Sequence, residues 1–180
     1  MDKRLELGRY GPQLWTREKA REVRTALDPV LDELRAGDTL VIDTKGVEVF
    51  DYSFANELFG KIVLSFPREY PGRFVIVENL TKYTRENLDK ALDGMGLVMI
   101  ERKGGGLQLV GKVHPADEKT FEAIVRKGGA VTAAELSEKL KVNLNAMNER
   151  LSKLATLGLV RREKGISPAG REQFEYRVLG

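Results

Sequence analysis

The chain has no cysteine and only one histidine, His114. The first absence removes disulfides, thiolate nucleophiles and cysteine-ligated zinc or iron–sulfur centres, and the second removes every site that needs two imidazoles. Most metalloenzyme classes go with them, and the sequence calls for no metal and no other cofactor. Long apolar runs are missing too. None approaches the roughly 20 residues of a membrane span. Met1-Asp2-Lys3-Arg4 also lacks the apolar stretch of a secretion signal, so a cytoplasmic protein with no membrane partner is expected. No internal repeat or low-complexity segment is found.

What is present is a globular composition, 42% apolar over 180 residues, enough for one fair core or two small ones. The formal net charge is only +3, but it is unevenly spread. From Lys112 onward there are 13 Lys and Arg against 9 Asp and Glu, and before it 17 against 18. A basic part joined to a neutral one fits a nucleic-acid binder carrying a second module, or an ordinary solvated surface.

Hydrophobic spacing orders the first part. Residues 17–34 place Val23, Ala26, Leu27, Val30, Leu31 and Leu34 at three- and four-residue steps, which predicts an amphipathic helix capped by Thr16 and bent at Pro29. Residues 39–43 predict a strand buried on both faces. A second helix is expected over 53–66, stopped by Pro67, then a strand over 74–77 and a helix over 84–92. Strands over 97–100 and 107–110 complete the pattern, separated by a glycine turn at Gly104-Gly105-Gly106. Alternating strands and helices imply an α/β layer with some parallel pairing. His114-Pro115 marks a boundary, giving domains at 1–113 and 114–180.

Beyond it, helices are expected over 117–127, from Thr132 and from Asn143. Thr132 and Glu135 have capping-box spacing. The last helix buries Leu144, Met147, Leu151 and Leu154, and shows Asn145, Asn148, Glu149, Ser152 and Lys153 on its other face. Gly158 ends it, a strand enters at Leu159-Val160-Arg161-Arg162, residues 165–171 form a loop, and residues 174–178 return.

The run AAELSEKLKVNLNAMNERLSKLATLGLVRREKGISPAG resembles the winged helix-turn-helix domains of bacterial and archaeal regulators of the multiple-antibiotic-resistance and arsenical-resistance repressor types. The resemblance implies a small α+β domain whose third helix enters the major groove of double-stranded DNA, where asparagine can bond adenine. Asn145, Asn148 and Lys153 are the candidate base contacts, and Arg161, Arg162, Lys164 and Arg171 the candidate phosphate or minor-groove contacts. The asparagines also fit caps or solvated polar residues, Glu149 would repel phosphate, and winged helices also dock proteins. A DNA-binding member of this class is expected to act as a homodimer.

Upstream, GDTLVIDTKGVEVFDYSFANELFGKIVLSF resembles the STAS-like family, a likeness extending over most of residues 6–113. It implies an α/β domain with a mixed sheet that docks a protein partner or senses a signal. In the STAS domains of anti-sigma-factor antagonists, an Asp-Ser-Ser-Gly motif at this helix start carries a phosphorylatable serine. Here Asp51-Tyr52-Ser53-Phe54 occupies that place, with Tyr52 at the modified position and Ser53 at the second serine. Ser53 or Asp51 acting only as a helix cap is the other reading. The clustered carboxylates Asp43, Glu48, Asp51 and Glu57 give no acid–base pair by spacing, so the chain is expected not to be an enzyme. The resulting expectation is a STAS-like module joined to a DNA-binding winged helix in a transcriptional regulator, with a non-enzymatic adaptor as the alternative.

Overall fold

The computed structural model describes residues 1–179. The chain divides into two compact units, residues 1–113 and the residues from His114 onward.

The first unit is built on a five-stranded mixed sheet in the order β1-β3-β5-β6-β7. Its strands are β1 (Asp2–Glu6), β3 (Thr39–Asp43), β5 (Phe74–Glu78), β6 (Val98–Lys103) and β7 (Gly106–Gly111). The first four run parallel and β7 returns antiparallel to β6. A two-residue parallel pair, β2 (Gln13–Leu14) and β4 (Val49–Phe50), lies apart from it. The turn between β6 and β7 holds Gly104 and Gly105, both at positive φ (58° and 79°), the two-residue geometry whose twist matches a tight hairpin.

Helix α1 (Arg17–Asp32) starts where Thr16 Oγ1 accepts from the Lys19 amide at 3.3 Å. It runs unbroken through Pro29 and stops two residues short of Leu34. The second helical stretch departs from expectation at both ends. It begins with α2 (Tyr52–Ala55), widens into a π turn at Asn56–Gly60, and continues as α3 (Lys61–Glu69) past Pro67. Pro67 removes one hydrogen bond late in the helix, while the Tyr70 amide still reaches the Phe66 carbonyl at 2.8 Å and the two rings pack at 5.1 Å, so the turn survives. Helix α4 (Lys82–Gly94) starts two residues earlier than the spacing predicts, because Thr81 and Thr84 form a reciprocal cap.

Leu27, Phe50, Phe54, Leu58, Phe59, Leu88 and Leu92 from these elements join Leu40, Ile42, Val77 and Met99 of the sheet in one buried core. Leu40, Val41 and Ile42 of β3 are all fully buried, as the apolar run 39–43 required. Strand β1 has no counterpart in the periodicity, since only Leu5 of its five residues is buried. As an edge strand it is charged instead: Lys3 pairs with Glu33 at 2.6 Å, Asp2 with Arg102 at 3.0 Å, and Arg4 with Glu78.

The second unit has three helices, α5 (Pro115–Lys127), α6 (Ala133–Leu140) and α7 (Leu144–Thr156), and three strands, β8 (Val131–Thr132), β9 (Arg161–Ile166) and β10 (Glu172–Arg177). The strands form an antiparallel sheet in the order β8-β10-β9. His114 caps α5, its Nδ1 accepting from the Ala116 amide at 3.2 Å, with Pro115 at the first helical position and left-handed Gly128 at the end. Phe121, Ile124, Leu136, Met147, Leu151, Leu154 and Tyr176 form its buried interior. Among the described residues no helix is long and apolar enough to cross a membrane.

Candidate functional site

Two parts of the molecule carry the residues singled out by sequence: helix α7 with the β9–β10 hairpin, and the start of α2.

The α6–α7 connection is short because Lys141 adopts the left-handed conformation (φ 53°) and Asn143 caps α7, its Oδ1 accepting from the Asn145 amide at 2.8 Å. Ser137 Oγ donates to the Val142 carbonyl at 2.6 Å and fixes the turn. The predicted capping box is present at α6, where Glu135 returns a 2.8 Å bond to the Thr132 amide. That bond, with Lys127 nearby, holds the Glu135 carboxyl below its ordinary range against the opposing effect of burial.

One face of α7 is buried through Met147, Leu151 and Leu154. Leu144, expected with them, is 47% exposed. It is the first residue of the helix, and its side chain leans toward the N-terminus, beyond the end of the core. Asn145, Asn148 and Glu149 are exposed on the outer face. Lys153 is committed differently: its Nζ lies 2.5 Å from Oδ2 of the buried Asp117, tying α7 to α5. The outer face of α7 therefore shows asparagines and a glutamate, with its lysine already paired.

In the hairpin, Ile166 pairs with Glu172 and only Ser167–Arg171 lie between them, a tighter loop than residues 165–171. The Ser167 amide donates to the Arg171 carbonyl at 2.8 Å and the Arg171 amide to Ser167 Oγ at 3.1 Å. Alternation along β9 divides the candidate cations. Arg162 and Lys164 are exposed with Ile166 on one face, while Arg161 lies on the other, 26% exposed and 3.3 Å from Glu163. Arg162 is held over the Phe174 ring at 4.6 Å, and Lys164 reaches Glu172 only at 4.0 Å. Arg171 is exposed in the loop. Strand β8, which closes the sheet against β10, was invisible in two residues that read as a helix start.

In the first unit, Asp51 is the cap of α2: Oδ1 accepts from the Phe54 amide at 2.7 Å, and Oδ2 lies 3.5 Å from the Thr16 amide. It thereby joins the starts of α1 and α2 beside Thr16, a β-branched residue at positive φ (74°). Tyr52 is 47% exposed and Ser53 half-buried at the second helical position. Two other carboxylates of this stretch have separate partners. Asp43 accepts from Asn79 Nδ2 at 2.8 Å and pairs with Arg4, and Glu57 is buried among cations. Among the described residues no group of three or more His, Asp or Glu side chains is arranged to hold a metal ion.

Glu57 was legible only as one acidic residue among several. It is 3% exposed, with Lys61 Nζ at 2.7 Å, Arg21 Nε at 3.3 Å and Arg24 Nη1 at 3.5 Å, all from the same oxygen. Burial pushes its carboxyl up, and the hydrogen bonds from Lys61 and Arg21 more than offset this, leaving it below the ordinary range. The spacings Arg21/Arg24 and Glu57/Lys61 each suggest helix neighbours, but their convergence joins two helices and needs the fold.

Residues 20–85, from α1 to the first residues of α4, match the family model described as a STAS-like domain of unknown function (DUF4325). The matched range is narrower than residues 6–113. No curated protein matches the chain. Among solved structures, the chain is similar to a possible transcriptional regulator from Methanosarcina mazei Go1, at 16% identity and a TM-score of 0.35, over 38% of this chain and 57% of that one. The match spans little more than half of that protein's length.

Proposed function

We propose that the protein is a DNA-binding transcriptional regulator whose second unit is a winged helix-turn-helix domain. One observation carries the reading. The order α5-β8-α6-α7-β9-β10, with a short capped turn between α6 and α7 and a sheet closed by β8, leaves a polar helix face and a cationic hairpin free of the unit's own core. In this reading α7 enters the major groove, Asn145 and Asn148 reach base edges, and adenine is the partner an asparagine amide matches. Arg162, Lys164 and Arg171 contact the phosphate backbone or the minor groove, and Arg161 supports the hairpin from its other face.

The STAS-like unit docks a protein partner or receives a signal, and the protein works as a cytoplasmic homodimer without catalysis. A phosphate on Ser53 would sit in the first turn of a helix, where negative charge is tolerated. Asp51, Tyr52 and Ser53 are the residues through which such a switch would act.

The test is selection of duplexes from a randomised pool by the full-length protein. Enrichment of defined sequences, lost in Asn145→Ala/Asn148→Ala with overall affinity largely retained, supports base reading by α7. Failure to retain any duplex near physiological salt contradicts the regulator. A second reading, a non-enzymatic adaptor in which this unit docks protein, is favoured by Ile166 and Phe174, 73% and 45% exposed on the hairpin, and by Glu149 on α7.

A further inference from the structure

The first unit holds a group of cations that its own structure does not require. Arg21, Arg24, Thr25, Asp28, Glu57 and Lys61 line a cavity of about 320 Å³. Three positive groups lie within 3.5 Å of one oxygen of Glu57. One buried carboxylate needs a single positive charge for compensation, so the cluster carries two more than that. Asp28 takes up part of the excess, but among the described residues no ion pair joins it to any of the three. Cations held this close repel one another, and an anion bridging them would relieve the repulsion.

We propose that this cavity binds the phosphate group of a small organic phosphomonoester through Arg21, Arg24 and Lys61. The three side chains are 59%, 42% and 47% exposed, so they are reachable from solvent. Arginine has five N–H donors and lysine three; Glu57 takes one from Arg21 and one from Lys61, which leaves donors on every member. A phosphomonoester offers three acceptor oxygens and a charge near −2, which suits donors arriving from different side chains better than a carboxylate does. The cavity volume is at the lower end of small-molecule sites and leaves space for the group that carries the phosphate. Glu57 itself lies in the π turn and Lys61 immediately after it, and such single-turn bulges often occur at functional sites. None of this depends on DNA binding by the second unit.

The experiment is a two-dimensional NMR titration of isotope-labelled full-length protein with inorganic phosphate, phenyl phosphate and, at matched ionic strength, sodium chloride. Saturable shifts of amides around Arg21, Glu57 and Lys61, tighter for phenyl phosphate than for phosphate and absent with chloride, are expected. Arg24→Gln/Lys61→Gln, which changes two half-exposed side chains, should weaken binding at least tenfold while amide spectra elsewhere stay unchanged. Glu57→Gln removes the competing carboxylate and should tighten binding about tenfold. If that variant does not fold, Asp28→Asn should tighten binding in the same direction. Equal shifts with chloride, unchanged affinity in the double variant, or weaker binding in the folded Glu57→Gln protein would overturn the site. Equal affinity for phosphate and phenyl phosphate would overturn the ester assignment.

Discussion

The two units use charge in opposite ways. In the first, Glu57, Glu78 and Glu101 are buried and each is held by arginine or lysine: Glu101 by Arg85 at 2.8 Å, Glu78 by Arg4 and Arg102, Glu57 by three cations. In the second, Asp117 is the one buried carboxylate among the described residues, and Arg162, Lys164 and Arg171 stand on the surface. A neutral count and a modestly basic count thus conceal a sharper contrast. Buried charge in the first unit is met by internal pairing, whereas Arg162, Lys164 and Arg171 of the second lie at the surface, where the proposed reading gives them a polyanion. The difference teaches that net charge per domain matters less for partner choice than which cations lack a buried partner.

That contrast can be broken in graded steps. The largest effect belongs to neither charge set: Phe50→Ala in the first core, where Phe50 is fully buried against Phe54 and Phe59, should cost about 3–5 kcal/mol in urea unfolding. Next, Arg85→Ala leaves the 1% exposed Glu101 without its cation and should cost roughly 3 kcal/mol. Gln108 Nε2 still donates to the same oxygen at 2.6 Å, so Arg85→Ala/Glu101→Gln should recover part of the loss. Truncating one hairpin cation such as Lys164, by contrast, should change stability by less than about 0.5 kcal/mol. Cap removal falls between these: Thr132→Ala should destabilise by about 1 kcal/mol, read as a lower unfolding midpoint.

Acid sharpens the same distinction. The Glu57 carboxyl is held below its ordinary 4.5, so its stabilisation is complete above about that pH and is lost as pH falls through the lower folded value. Glu57→Gln should flatten this part of the acid limb in a pH series of unfolding midpoints. An acid limb identical to that of the wild type would show that the pairing contributes nothing to stability.

Legibility followed the range of the interactions. Helices α5, α6 and α7 could be placed because Thr132/Glu135, Asn143 and the leucine spacing act within a few residues. Strands β3 and β5 were readable as apolar runs between turn residues. Strand β1 was not, because Asp2, Lys3 and Arg4 are stabilised by partners 30 to 100 residues away. The strand–loop–strand order of the hairpin was readable in the sequence, but the division of Arg161 from Arg162 needed the register with β10. Lys153 reads from sequence as a candidate base contact because nothing local indicates Asp117, 36 residues earlier. The Glu57 cluster was missed for the same reason.

If the exposed hairpin cations meet a nucleic-acid backbone, duplex affinity must fall steeply with salt. Each phosphate contact contributes about −0.9 to the slope of log affinity against log salt. Arg162→Ala/Lys164→Ala/Arg171→Ala should therefore bind more weakly and with a slope shallower by roughly 2–3, while Arg161→Ala changes the slope little. Equal slopes for wild type and triple variant, or no duplex affinity in either, would contradict the account.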